Sequence, residues 1–182
     1  MLGRKRLEAA IADELSRLGP FIAIGQPGER LPRLGAARAY FSDDEWQSAV
    51  IDWISRARLI VMIAGRTPWV QWELRQIVRA GQLDKLLILL PPGPVEDRSH
   101  RIELICEALD DRRLTAAEVN PQRAVAVRYF ATERPNRHQC DMVLVESTET
   151  TEVSYELAIR VAVRLPPLEH SEVNCNAASM LK

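Results

Sequence analysis

Apolar residues recur at helical spacing from the start of the chain, where Leu7, Ala10, Ile11, Leu15 and Leu18 share one face of residues 5–18 before Gly19-Pro20 ends it. Phe21 to Ile24 is a short apolar run that stops at Gly25. Gln26 to Tyr40, with Pro27, Gly28, Pro32 and Gly35, then reads as a long loop behind a buried strand. Ser42 and Glu45 form a capping box, and Trp46, Ala49, Val50, Trp53, Ile54 and Ala57 follow on one helical face. The two tryptophans of that face are expected in the core. Leu59 to Ala64 is a second strand, stopped by Gly65. Thr67 as N-cap and Pro68 as the first helical residue open a helix that runs to about Ala80 and ends at Gly81. Leu86 to Leu90 is a third strand, bounded by Pro91-Pro92-Gly93-Pro94.

Beyond these prolines, Ile102, Ile105, Cys106 and Leu109 line one face of a helix over about Arg98 to Leu109, and Thr115 with Glu118 caps a further turn. Ala124 to Phe130 and Met142 to Val145 are strand-like. The polar stretch Thr132 to Gln139 joins them as the loop of an antiparallel hairpin at a sheet edge. Residues 151–165 fit either a strand, through Val153, Tyr155, Leu157, Ile159, Val161 and Val163, or a helix, through Tyr155, Ala158, Ile159, Ala162 and Val163; length favours the helix. Strands apolar at every position are covered on both faces, as in a parallel sheet between helix layers. The expected architecture is therefore one α/β domain over residues 1–168: three layers, a mostly parallel flavodoxin-like sheet with helices on both faces, and a C-terminal hairpin plus helix. Residues 169–182 are polar without periodicity and expected to be a disordered tail.

Composition narrows the function classes. Of the 182 residues, 47% are apolar and 27% charged, enough for a sizeable core and against disorder, and the net charge of −1 gives no field that would draw nucleic acid. The apolar runs 59–64 and 86–90 are far below the roughly 20 residues of a membrane span. No signal peptide precedes the first helix, and three widely spaced cysteines, Cys106, Cys140 and Cys175, fit a cytoplasmic location. Neither a metal set nor a cofactor fingerprint is present. Lys5, Lys85 and Lys182 are the only lysines among 24 cationic residues, an arginine excess that reads as coding bias before it reads as binding.

In an open parallel sheet, ligands bind beyond the carboxyl ends of the strands. Those ends are Gly25, Gly65 and Pro91, so the site is expected among loop 26–40, loop 65–68 with its helix, and loop 91–97. Glu73 lies four residues after Trp69 and beside Trp72, one turn of helix presenting indole and carboxylate together. Indole burial raises such a carboxyl's pKa, and the helix N-terminus lowers it. The plainer alternative is a solvated glutamate near a helix N-terminus, with both tryptophans packing.

The run Ala57-Arg-Leu-Ile-Val-Met-Ile-Ala-Gly65, followed by Thr67-Pro-Trp69-Val-Gln-Trp-Glu73-Leu, resembles the strand, polar loop and S-x-W-x-x-x-E-L pattern of the TIR (Toll/interleukin receptor) domain family, with Thr67 in the serine's place. The stretch GPFIAIGQPGERLPRLGAARAYFSDDEW, residues 19–46, is similar to a bacterial TIR-like group whose members often lie beside membrane spans. The resemblance covers about residues 5–92. It implies cleavage of NAD or a related nucleotide with Glu73 as the catalytic carboxylate and Trp69 on the pocket wall. It also implies that loop 26–40 covers the site and mediates homo-oligomer contacts. Arg30, Arg33 or Arg38 would hold the pyrophosphate. TIR folds begin with a central strand before the first helix, whereas this chain opens on a helix. Either a segment upstream of Met1 supplies that strand, or Ala124 to Phe130 takes its place, or the site is incomplete and the chain a non-catalytic signalling or self-association module, or the soluble domain of a membrane-associated protein. A domain that senses a nucleotide without turnover is a third reading.

Overall fold

Five apolar-periodic segments are helical in the computed structural model, which describes residues 4–17, 19–20, 22–24, 37–39, 43–111, 119–134 and 137–164. They are α1 (Arg4–Ser16), α2 (Asp43–Arg56), α3 (Pro68–Arg79), α4 (Val95–Leu109) and α5 (Glu152–Arg164). The strands are β1 (Ile22–Ile24), β2 (Ala37–Ala39), β3 (Ile60–Ile63), β4 (Leu86–Leu89), β5 (Ala124–Arg134) and β6 (Arg137–Glu146). Residues 151–165 thus resolve as a helix: Tyr155, Ala158, Ile159 and Ala162 are buried at 3.6-residue spacing. No described helix is long and apolar enough to cross a membrane.

The main sheet has the order β3-β4-β5-β6. It is mixed rather than mostly parallel: β3 and β4 are parallel from Ile60↔Leu86 to Ile63↔Leu89, while β4 with β5 and β5 with β6 are antiparallel. The crossover through α3 returns the chain in the same direction, as βαβ geometry requires. After α4 the chain enters β5 the opposite way. The fully apolar β4 is buried along its whole length, but burial on both faces says nothing about the direction of the neighbouring strand. Ala124 to Phe130 therefore does not act as an added parallel strand; it lies antiparallel between β4 and β6. β1 and β2 form a separate parallel pair, from Ile22↔Ala37 to Ile24↔Ala39, so residues 37–39 of the expected loop are a strand.

The hairpin also exceeds its expected length. Residues 132–134 and 137–139, expected as loop, continue the ladder down to Arg134↔Arg137. Backbone pairing propagates from the apolar half of the hairpin without needing apolar side chains at its tip.

Alternate residues of β4 feed two apolar clusters. Leu86, Ile88 and Leu90 pack with Trp46, Val50 and Ile54 of α2, Leu74 and Ile77 of α3, and Ile102 and Ile105 of α4. Leu87 and Leu89 pack with Leu7, Ile11 and Leu15 of α1 and with Tyr155 and Ile159 of α5. A register irregularity between Ala124 and Ala126 shifts the alternation, so Val125 and Ala126 join the second cluster and Val127 returns to the first. Trp53, expected in the core, is half-buried outside both clusters, with the Arg56 guanidinium 5.2 Å from its ring centre. It sits at the edge of the α2 stripe, where a cation can cover its outer face.

Candidate functional site

The loop from β3 to α3 is short and tightly held. Ala64 N donates to Leu89 O at 2.8 Å, extending the parallel ladder one residue past β3. Gly65 follows, and a Cβ there would lie 2.8 Å from Val70 Cγ2, so only glycine lets the first turn of α3 approach this closely. Thr67 caps the helix, its Oγ1 accepting from Val70 N at 3.4 Å, and Pro68 occupies the first helical position. From below, Asp97 of α4 accepts from Arg101 Nε at 2.7 Å and pairs with Arg66 at 3.0 Å, while Arg101 Nη1 donates to the Ala64 carbonyl. The Arg101 hydrogen bond holds the Asp97 carboxyl below its ordinary range. The loop is therefore clamped to α4 by charge as well as by backbone.

On α3, Trp69, Glu73 and Ile77 stand four residues apart on a row that runs from exposed to buried. Trp69 is 46% exposed and Ile77 1%, with Glu73 between them and half-buried. Trp46 of α2, 3% exposed, meets Trp69 edge-on at 5.1 Å between ring centres and Trp72 at 5.3 Å and 35°. With its amide oxygen turned inward, Gln76 accepts from Trp72 Nε1 at 3.2 Å. Trp46 Nε1 has no hydrogen-bond partner among the described residues.

No described group forms a hydrogen bond or ion pair with the Glu73 carboxyl, and desolvation raises its pKa to about 7. Of the two opposing influences expected on this residue, burial prevails over the helix N-terminus. A carboxyl in this state changes charge near neutral pH, and no counter-ion faces it among the described residues.

Of the expected site residues, Gly65 lies in the β3–α3 loop, and Trp69 and Glu73 follow on the first two turns of α3. Gly25, Arg30 and Arg33 lie outside the described residues, as do most of loop 26–40, the Thr115 to Glu118 turn and the tail 169–182. Arg38 pairs through its backbone with Ala23 on the β1–β2 ladder. The third expected loop is shorter than 91–97, because α4 begins at Val95 directly after Pro94.

The structure also reveals a residue that the sequence reading passed over. Arg98 is 1% exposed, although it carries a guanidinium. Its Nε donates to Pro121 O at 2.5 Å and its Nη1 to Leu90 O at 3.2 Å and to Pro91 O; Nη2 donates to Ala124 O. Tyr155 OH donates to the same Leu90 carbonyl at 2.5 Å. One cation thus stitches the end of β4 to the start of β5. A signal for it exists in the sequence: Arg98 lies on the same helical row as Ile102, Ile105 and Leu109, a core position for a charged residue.

No family model, curated protein or solved structure matches this chain.

Proposed function

We propose that the chain is a three-layer TIR-like α/β domain that hydrolyses the N-glycosidic bond of NAD or a related nucleotide, with Glu73 as the catalytic carboxylate. The observation that carries this reading is a desolvated carboxyl with no partner among the described residues, its pKa raised to about 7, one helical turn from the exposed Trp69 on the helix that follows β3. In the reaction the bond from ribose C1′ to the pyridinium nitrogen breaks and its electron pair leaves with neutral nicotinamide. Water then adds to C1′ and releases a proton. The leaving group needs no general acid, so the demand on the site is stabilisation of an oxocarbenium-like ribose, which one fixed anion supplies. Trp69 offers a flat apolar wall for the ring, and Arg30, Arg33 or Arg38 would hold the pyrophosphate. Only ionised Glu73 acts this way, so kcat/KM rises as pH passes upward through about 7. The test is nicotinamide release from NAD by the purified chain. Release that falls at least about 100-fold in Glu73→Gln is expected. No release by the wild type, or release unchanged in Glu73→Gln, overturns the proposal.

A further inference from the structure

The outer face of α5 carries Val153, Leu157 and Val161, spaced by four and 59%, 36% and 37% exposed, half of the exposed large apolar side chains among the described residues. The residues packed against the sheet from this helix are others: Tyr155, Ala158, Ile159 and Ala162. Spaced by four on one helix, these three branched side chains adjoin one another, and contiguous exposed apolar surface of this kind marks an interaction site. Beside that row runs a second one at the same spacing, Glu152, Glu156, Arg160 and Arg164, acidic in the first turns and basic in the last.

We propose that α5 pairs with α5 of a second copy of this chain, antiparallel about a two-fold axis. That arrangement lays Leu157 on its own counterpart and Val153 against Val161 of the second copy. It brings the acidic end of each charged row to the basic end of the other, as an isologous contact demands. A parallel arrangement would set Glu152 on Glu152 and Arg164 on Arg164. Arg160 is already committed within the chain, donating to both Glu14 oxygens at 2.6 Å, and the Arg164 charge also acts on Glu14; Arg164 makes no hydrogen bond there and is exposed, so the contact between copies falls to it and to Glu152, also exposed. The mixed row also disfavours an anionic lipid surface, which would repel its Glu152 end. Three apolar side chains per copy make a small interface, and the dimer is weak and concentration-dependent. It stands apart from Glu73, because α3 and α5 belong to clusters fed by opposite faces of β4.

Sedimentation velocity of the full chain across a concentration series tests this. The wild type is expected to show a monomer–dimer equilibrium. Leu157→Glu raises its dissociation constant at least about tenfold, and Val153→Lys does the same if the first variant fails to fold by circular dichroism. Glu152→Arg weakens the dimer about threefold or more, and adding Arg164→Glu to it restores the wild-type constant. A wild type that stays monomeric at its highest soluble concentration, as it would if residues 165–182 or an unrelated protein covered the row, overturns the proposal. So does a dimer that both apolar variants leave unchanged, or a charge swap that recovers nothing.

Discussion

Gly65 and Glu73 show how single side chains set the candidate site. At Gly65 an added methyl group meets Val70 Cγ2 at 2.8 Å, and a β-branched valine has no low-energy rotamer to swing into. Gly65→Ala is expected to destabilise by about 1–3 kcal/mol, and Gly65→Ala with Val70→Ala to recover part of that loss in urea unfolding. Glu73 acts through protons. Its folded pKa, about 7, lies above the ordinary 4.5, so between these values the folded state holds the proton more tightly than the unfolded chain. Stability from this group is whole below pH 4.5, declines as pH rises, and is lost above about 7, by at most about 3 kcal/mol. Glu73→Gln removes that slope; its thermal midpoint should exceed the wild type's at pH 8 and match it near pH 5.

Among the elements, α4 is the one whose role the sequence concealed. Its apolar row Ile102, Ile105 and Leu109 is visible as periodicity, but Arg98 on the same row reads as a solvated first-turn residue until the carbonyls of Leu90, Pro91, Pro121 and Ala124 are placed around it. Removing it leaves several buried acceptors unpaired. Arg98→Ala is expected to cost about 3–5 kcal/mol in denaturant unfolding. Arg98→Lys should recover little, because one ammonium cannot span acceptors on three segments as a planar guanidinium does. Helix α3 is the opposite case: Thr67, Pro68 and Gly81 marked its ends in the sequence, and Thr67 caps it and Gly81 takes a φ of +66° just past its end. The β5–β6 hairpin lies between these two. Its apolar halves were legible, while the polar residues that lengthen it carry no strand signal of their own.

At the scale of the whole molecule, the first and last helices close the second apolar cluster together. Glu14 of α1 is 6% exposed and accepts from Arg160 of α5, 146 residues away, and from Arg17. These partners hold the Glu14 carboxyl below its ordinary pKa of 4.5. Its contribution is whole above pH 4.5 and lost as pH falls through the lower folded value, the reverse of Glu73. The two slopes meet in a stability maximum near pH 4.5, falling on the acid side through Glu14 and toward pH 7 through Glu73, measurable as thermal midpoint against pH. Glu14→Gln should shift the acid limb and raise amide exchange in α1 before the rest of the fold.

Local patterns alone determined the first four helices, the apolar strands β3 and β4, and the placement of Trp69 and Glu73 one turn apart behind a strand, because spacing of 3.6, capping residues and punctuation by glycine and proline act over a few neighbours; for α5 they left strand and helix both open, with length favouring the helix. The antiparallel direction of β5, the separate β1–β2 pair, the burial of Arg98 and the contact of Trp46 with both α3 tryptophans were decided by tertiary packing. Each depends on which distant backbone or ring arrives alongside, and that is set by how the layers close over β4, a choice among alternatives that residues near in sequence do not distinguish.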